Sequence, residues 1–156
     1  MASTSTTREL ASFFDDLVRC ETRLYNALTE RLRGKHGIVA TQFEFLRYFD
    51  AHPGARVADV ATNFAAGIGA ISKGVDRLEA RGWVERHPNP ADGRSSLVSL
   101  TGTGAALLAE AEVSFQDTLV DLVSIELAPD QIREAGATLG TLRAALERAR
   151  VGIPVG

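Results

Sequence analysis

Residues 68–101 read IGAISKGVDRLEARGWVERHPNPADGRSSLVSLT, and their pattern decides the fold. Ile68, Ile71, Val75 and Leu78 recur in steps of three and four, which predicts one apolar stripe on a helix. Gly82 closes that helix, because glycine takes the left-handed helix-ending conformation at no steric cost. Trp83-Val84-Glu85-Arg86, two apolar residues followed by two polar ones, then reads as a strand, and Leu97-Val98-Ser99-Leu100 as a second. The connection His87–Ser96 contains two prolines, Asn, Asp and Gly, the composition of a loop. Just upstream, Val57, Val60, Ala61 and Phe64 mark a shorter helix, joined to the first by Ala65-Ala66-Gly67 alone. Two helices on so short a joint form a helix-turn-helix. The strands and loop that follow turn it into a winged helix.

Outward from this unit the chain is helical. Thr41-Gln42-Phe43-Glu44 has the spacing of a capping box, opening a helix from Gln42 to Ala51 that His52-Pro53-Gly54 ends. Arg8 to Arg33 reads as one long helix with its apolar residues in steps of three and four, stopped by Gly34 and Gly37. Thr101 opens a helix running to about Glu126. Ala128-Pro129-Asp130 opens the last helix, whose Ile132, Ala135, Leu139, Leu142 and Leu146 form a heptad-like seam. A first helix of about 26 residues is roughly 39 Å long, more than a winged helix can cover. It is expected to pack on the C-terminal helices of a second subunit in a two-fold dimer, or else within a monomeric bundle. The fold class is mainly α, an α+β winged helix with long terminal helices. The expected organisation is a disordered tail (1–7), a helical dimerisation region (8–36 and 102–150) and a DNA-binding winged helix-turn-helix (37–101), all in one compact domain.

The chain of 156 residues is 45% apolar and 24% charged, ordinary for a globular protein and too short for a two-domain enzyme. The longest uncharged stretch, Ser95–Ala109, is rich in Ser, Thr and Gly, whereas a membrane helix needs about 20 mostly apolar residues. The N-terminus lacks the apolar core of a secretory signal, and the single Cys20 makes no internal disulfide, which points to the cytoplasm. Three widely spaced histidines argue against a metal site. With no phosphate-cradling glycine loop or nucleophile motif, neither an enzyme nor a cofactor is expected. The net charge of −3 hides a gradient: residues 55–101 hold six Lys/Arg against five Asp/Glu, and residues 102–156 hold four against eight. The middle of the chain is thus the part suited to a polyanion.

On a helix, Lys73 points away from the stripe of Ile68, Ile71, Val75 and Leu78, flanked by Gly69, Ala70, Asp76 and Arg77. Small residues admit such a face to a major groove, where Lys and Arg reach guanine edges or phosphates; Ser72 at the flank reaches a phosphate or a base edge. Arg94, beside Gly93 and Ser95 in the loop, suits a narrow minor groove, and Asp92 is expected to stiffen the loop by holding an arginine of the same subunit. The same residues also fit a solvated helix face and a plain surface turn, or a winged helix that contacts only protein.

The run Val75-Asp76-Arg77-Leu78-Glu79-Ala80-Arg81-Gly82-Trp83-Val84-Glu85-Arg86 and the wing Asn89–Thr101, with its Asp-x-Arg and Leu-Thr, resemble the MarR (multiple antibiotic resistance regulator) family. The resemblance is strongest from about Thr41 to Leu108, and the helix order fits nearly the whole chain. It implies a triangular obligate dimer with both winged helices on one DNA duplex. It further implies a repressor, less often an activator, at a pseudo-palindrome near its own gene, in a family where small phenolic or other aromatic ligands often relieve binding. Carried over, Gly69, Ala70, Ser72, Lys73, Arg77, Arg94 and Ser95 face DNA, and Asp92 is the supporting acid. Gly67 and Ile68 stand where many members have Ser and Arg, and Gly93 where a second Arg is frequent. Weaker or less salt-dependent binding is therefore expected.

The family's pocket lies between the dimer helices and the winged helix. Phe13, Phe14, Phe45, Arg47, Tyr48 and His52 are the candidates to line it, with Arg or His meeting a carboxylate or phenolate. The same aromatics also suit a core. One family branch senses peroxide through a first-helix cysteine, making redox sensing through Cys20 the alternative; but the corresponding position is nearer Asp15.

Overall fold

The computed structural model describes residues 4–155. In chain order the elements are α1 (Thr4–His36), α2 (Ala40–Ala51), β1 (Ala55–Arg56), α3 (Val57–Asn63), α4 (Ile68–Ala80), β2 (Val84–Pro88), β3 (Ser96–Leu100), α5 (Gly102–Leu119) and α6 (Pro129–Arg148). A π-helical turn, Val120–Ser124, follows α5 directly. The expected mainly helical winged-helix class is the one observed.

The sheet has three antiparallel strands in the order β1-β3-β2. Val84 pairs with Leu100, Arg86 with Val98 and Pro88 with Ser96. On the other edge of β3, Ala55 pairs with Val98. Strand β1 is new relative to the sequence reading, since two residues are too short to show a period. Gly54 at φ +77 turns the chain into it, and its N–H bonds to the Val98 carbonyl.

The core lies in the winged helix and the two helix segments that roof it. Phe43, Leu46 and Phe49 of α2, Val60 of α3, Val75 and Leu78 of α4, Val84 and Val98 are essentially inaccessible. From α1 only the last turns contribute, through Leu28 and Leu32. Two glycines set helix distances. A Cβ on Gly74 would come within 2.8 Å of the Phe45 ring, so α4 packs on α2 only with glycine there. A Cβ on Gly104 would overlap the Trp83 carbonyl oxygen, so the first turn of α5 lies directly against the start of β2.

Several boundaries differ from expectation. Helix α1 begins at Thr4, so Thr4–Thr7 belong to the helix and not to a tail; Met1–Ser3 lie outside the described residues. It runs through Gly34 and stops at Gly37, which takes φ +67. Helix α2 starts at Ala40, where Gln42 Oε1 accepts the Val39 N–H at 3.0 Å. The expected capping box at Thr41 and Glu44 is not used, because both side chains are turned to Tyr25 of α1. Thr41 Oγ1 lies 3.1 Å from the phenol oxygen, and the phenol donates to Glu44 Oε2 at 3.0 Å. Burial pushes the Tyr25 phenol up to about 12; the Glu44 carboxylate adds to the shift and the Thr41 hydrogen bond opposes it.

No residue of α6 is buried, and its Ile132, Leu139, Leu142 and Leu146 are exposed in this single chain. The outer part of α1 likewise exposes Leu10, Phe13, Phe14 and Val18. No helix among the described residues is long and apolar enough to cross a membrane.

Candidate nucleic-acid interface

Helices α3 and α4 are joined through Phe64–Gly67, where Ala65 at φ +49 takes the left-handed conformation that makes the tight turn. Ile71, Val75 and Leu78 anchor α4 on the core. The opposite face exposes Gly69, Ala70, Lys73, Asp76 and Arg77, as the periodicity predicts, while Ser72 is half-buried at the flank. Ile68 departs from the expected stripe. It stands at the first position of α4, before the helix has closed on the core, and is 60% exposed.

The charges on this face are arranged unequally. Arg86 reaches from β2 to α4, placing Nη1 2.7 Å from Asp76 Oδ1 and 3.4 Å from Glu79 Oε1. Both carboxylates of the helix face are thus engaged by one strand residue, whose single charge offsets half of theirs and which also fixes β2 against α4. Sequence reasoning listed Arg86 only as part of a motif. Its partners are ten and seven residues earlier, a separation that only the fold brings together. By contrast, Lys73, Arg77 and Arg94 have no ion-pair partner among the described residues. Positive charge is therefore left unmatched on the exposed face of α4 and at the tip of the wing.

The wing is held by its own polar side chains. Asp92 Oδ1 accepts the Arg94 N–H at 3.0 Å, and the Ser95 N–H donates to the Asp92 carbonyl at 3.2 Å. Asp92 thus stiffens the wing through backbone, and not by gripping an arginine side chain as expected; a short Asp side chain two residues before an N–H closes this turn without crossing the loop. Asn89 was missed as a brace. Its Oδ1 accepts the Ala91 N–H at 3.0 Å and its Nδ2 donates to Ser95 Oγ at 2.8 Å. Ser95 is consequently engaged inside the wing, unlike Arg94, whose guanidinium is exposed. At the wing's base, Arg56 Nη2 lies 2.7 Å from Asp59 Oδ1. The Arg56 hydrogen bonds hold the Asp59 carboxyl below the usual carboxylate range, against an opposing effect of burial. Thr101 closes the unit: its Oγ1 donates to the Gly82 carbonyl at 2.6 Å and accepts the Gly104 N–H at 3.0 Å.

The six candidate ligand residues are not brought together. Phe45 is core, its ring 5.4 Å from that of Phe64. Phe13 and Phe14 sit on the exposed outer part of α1. Arg47 is paired with Glu112 at 3.4 Å and lies over the Phe115 ring at 4.9 Å, fixing α2 to α5. Arg47, Tyr48 and His52 do border a shallow cleft of about 260 Å³, with Tyr48 and His52 stacked at 4.3 Å. Tyr48 also borders a larger, open cleft of about 910 Å³, with Phe64, Leu139, Arg143 and Arg150 among its other walls. The α6 side of that cleft had no sequence signal beyond its apolar seam. Cys20 is exposed on α1. Among the described residues no cluster of metal-ligating side chains forms.

A three-stranded sheet laid against a helix-turn-helix, with a braced loop beside the second helix, defines a winged helix-turn-helix protein. The MarR family model matches residues 36–95, from the end of α1 to the wing. The multiple antibiotic resistance protein MarR of Salmonella typhimurium is 39% identical over 70 residues, 45% of this chain and 49% of that protein. The chain thus matches about half the length of that curated relative. A mutant MarR from Escherichia coli, complexed with operator DNA, superposes with a TM-score of 0.77 at 27% identity, over 86% of this chain and 95% of that one. The MarR family regulator Sco3205 from Streptomyces coelicolor, in complex with DNA, matches in fold with a TM-score of 0.83 at 22% identity, over 99% and 96% of the two chains. Residues 36–95 thus match the MarR family, within a fold that MarR family regulators share over most of the chain.

Proposed function

We propose that this protein is a cytoplasmic, homodimeric transcription repressor that binds a pseudo-palindromic operator. The observation that carries the reading is the set of unmatched cations. Lys73, Arg77 and Arg94 are exposed without ion-pair partners among the described residues, while Arg86 pairs with the carboxylates beside them. An unpaired Lys or Arg gains most from a polyanion, since it loses no existing partner and releases counterions from the phosphates. In this reading α4 enters the major groove, with Gly69 and Ala70 permitting close approach and Lys73, Arg77 and Ser72 meeting base edges or phosphates. Arg94 enters the adjacent minor groove on a wing stiffened by Asp92, Asn89 and Ser95. Two-fold symmetry places the half-sites about 10 bp apart, centre to centre.

Residues 8–36 and 102–150 serve as the dimerisation region in this proposal, with residues 37–101 as the DNA-binding region. Support comes from the exposed apolar seam of α6 and the equally exposed outer part of α1, which a second chain would cover. Relief by a small aromatic or phenolic ligand completes the proposal. The cleft bordered by Tyr48, Phe64 and Leu139 offers apolar walls, and Arg143 and Arg150 offer cations for a carboxylate or phenolate.

Fluorescence anisotropy against DNA from upstream of the protein's own gene, beside a scrambled duplex and at several salt concentrations, tests the function. Selective binding that weakens with salt, and that Lys73→Glu abolishes in a still-dimeric protein, is the expected result. Equal binding to both duplexes, unchanged in Lys73→Glu, would leave a winged helix that serves a protein partner.

A further inference from the structure

The first turn of α4 has an unusual surface for a reading helix. Gly67 precedes it in extended conformation, and Ile68, Gly69 and Ala70 follow, all exposed. None of these four side chains can donate or accept a hydrogen bond. The first polar side chains are Ser72, half-buried, and Lys73, one turn further on. Ile68 is therefore a large apolar side chain held out to solvent, 60% exposed, on the helix that presents Lys73 and Arg77. Its exposure is not slack in the core: Ile71, one turn later, fills the buried position.

In a helix-turn-helix the N-terminal residues of the second helix contact base edges. The major-groove edges of guanine, cytosine and adenine present only hydrogen-bonding groups, whereas thymine adds an apolar C5-methyl group. The side chains of this first turn, Ile68, Gly69 and Ala70, can satisfy none of the former and can bury the latter. A cytosine amino group facing them would be desolvated without an acceptor, which disfavours that base, since the turn's free backbone N–H groups only donate. We infer that Ile68 is a specificity-determining residue that selects thymine in each half-site by packing on its methyl group. The flanking Gly69 and Ala70 let the helix approach closely enough for that contact. The inference rests on the DNA-binding reading above and adds to it the base that the apolar turn selects.

Replacing thymine by deoxyuridine removes the methyl group and leaves every hydrogen-bonding group in place, so it isolates this contact. A duplex would first be selected by the parent protein from a random library. Anisotropy titrations would then compare parent and Ile68→Ala on that duplex, with each thymine in turn replaced by deoxyuridine in both half-sites. For the parent, one position is expected to weaken binding by about 15-fold, roughly fourfold per half-site, the equivalent of one buried methyl group. Ile68→Ala should bind the thymine duplex more weakly than the parent does and lose most of the discrimination at that position alone. The solvent-exposed substitution leaves folding intact, which circular dichroism checks. Parent affinity unchanged at every deoxyuridine position, or discrimination retained by Ile68→Ala, would overturn the assignment while leaving DNA binding standing. If the parent selects no duplex from the library, the regulator reading falls, and this inference with it.

Discussion

The winged helix and the terminal helices bury their apolar residues to very different degrees. In the winged helix, Phe43, Leu46, Phe49, Val75 and Leu78 are essentially inaccessible, and glycines at 74 and 104 let the elements close on each other. In α6 no residue is buried, and the outer part of α1 leaves Phe14 63% exposed. Both regions carry the apolar periodicity of core-facing helices, yet only one finds its partner within the chain. The difference separates a unit whose fold is encoded in a single copy from a surface that reads as half of an interface.

The sharpest way to break this comparison is to truncate one leucine in each region. Leu46→Ala should lower unfolding free energy by about 2–5 kcal/mol, because it empties a closed core. Within the dimeric reading, Leu139→Ala should act through association, so that its effect on the melting temperature grows as the protein is diluted. Thermal melts over a hundredfold range of concentration distinguish them, and a concentration-independent loss for Leu139→Ala would place α6 in a monomeric fold.

Within the winged helix, the unmatched cations should respond differently from one another. Lys73→Ala is expected to cost about 1–3 kcal/mol on the operator and to relax base preference at one position, if its contact is to a base. Arg94→Ala should weaken binding to all duplexes alike and reduce the salt slope by about one per removed phosphate-type contact. Anisotropy on operator and scrambled DNA reads both, and parent-like binding by both variants would show that the reading surface lies elsewhere.

A smaller effect is expected at Arg86, which is paired instead of unmatched. Arg86→Gln should change stability by no more than about 1 kcal/mol, as partly exposed ion pairs do. It would nevertheless release Asp76 and Glu79 toward the phosphates and weaken DNA binding several-fold. Chemical denaturation and anisotropy on the same variant separate the two effects, and an unchanged affinity would remove Arg86 from any role in charge balance.

The smallest effect belongs to Tyr25, where α1 meets α2. Its phenol is pushed up to about 12 in the folded chain, chiefly by burial, against its ordinary value of 10.0 when unfolded. The protonated phenol is thus favoured by folding. Its contribution is complete below pH 10.0 and is lost as pH rises toward about 12. Tyr25→Phe should flatten the decline of stability across that window in denaturation curves taken at successive pH values, whereas an unchanged alkaline limb would mean that other groups govern it.

What the sequence made legible follows from the range of the interactions concerned. The stripe of Ile71, Val75 and Leu78, the left-handed Gly82 and the Pro-Asn-Asp-Gly loop are local signals, and the winged helix follows from them. Strand β1 is two residues long and is defined only by its pairing with β3, so no period announced it. The opposite failure occurred at Ile68: periodicity assigned it to the buried face, but a helix's first residue lies beyond the edge of the core. At the candidate site, Lys73, Arg77 and Arg94 are singled out by position alone. Their lack of partners, and the engagement of Asp76 and Glu79 by Arg86, depend on contacts between separate elements. The cleft walls from α6 were missed for the same reason, since they meet Tyr48 and Phe64 only through the tertiary fold.

Sedimentation equilibrium of the protein alone and with its operator duplex tests the central comparison most directly, because it counts chains. The free protein should sediment as a species of twice the 16.7 kDa chain mass, and the complex should carry two chains on one duplex. A free species of a single chain mass, with one chain per duplex, would contradict it: the exposed seams of α1 and α6 would then not be an interface between copies.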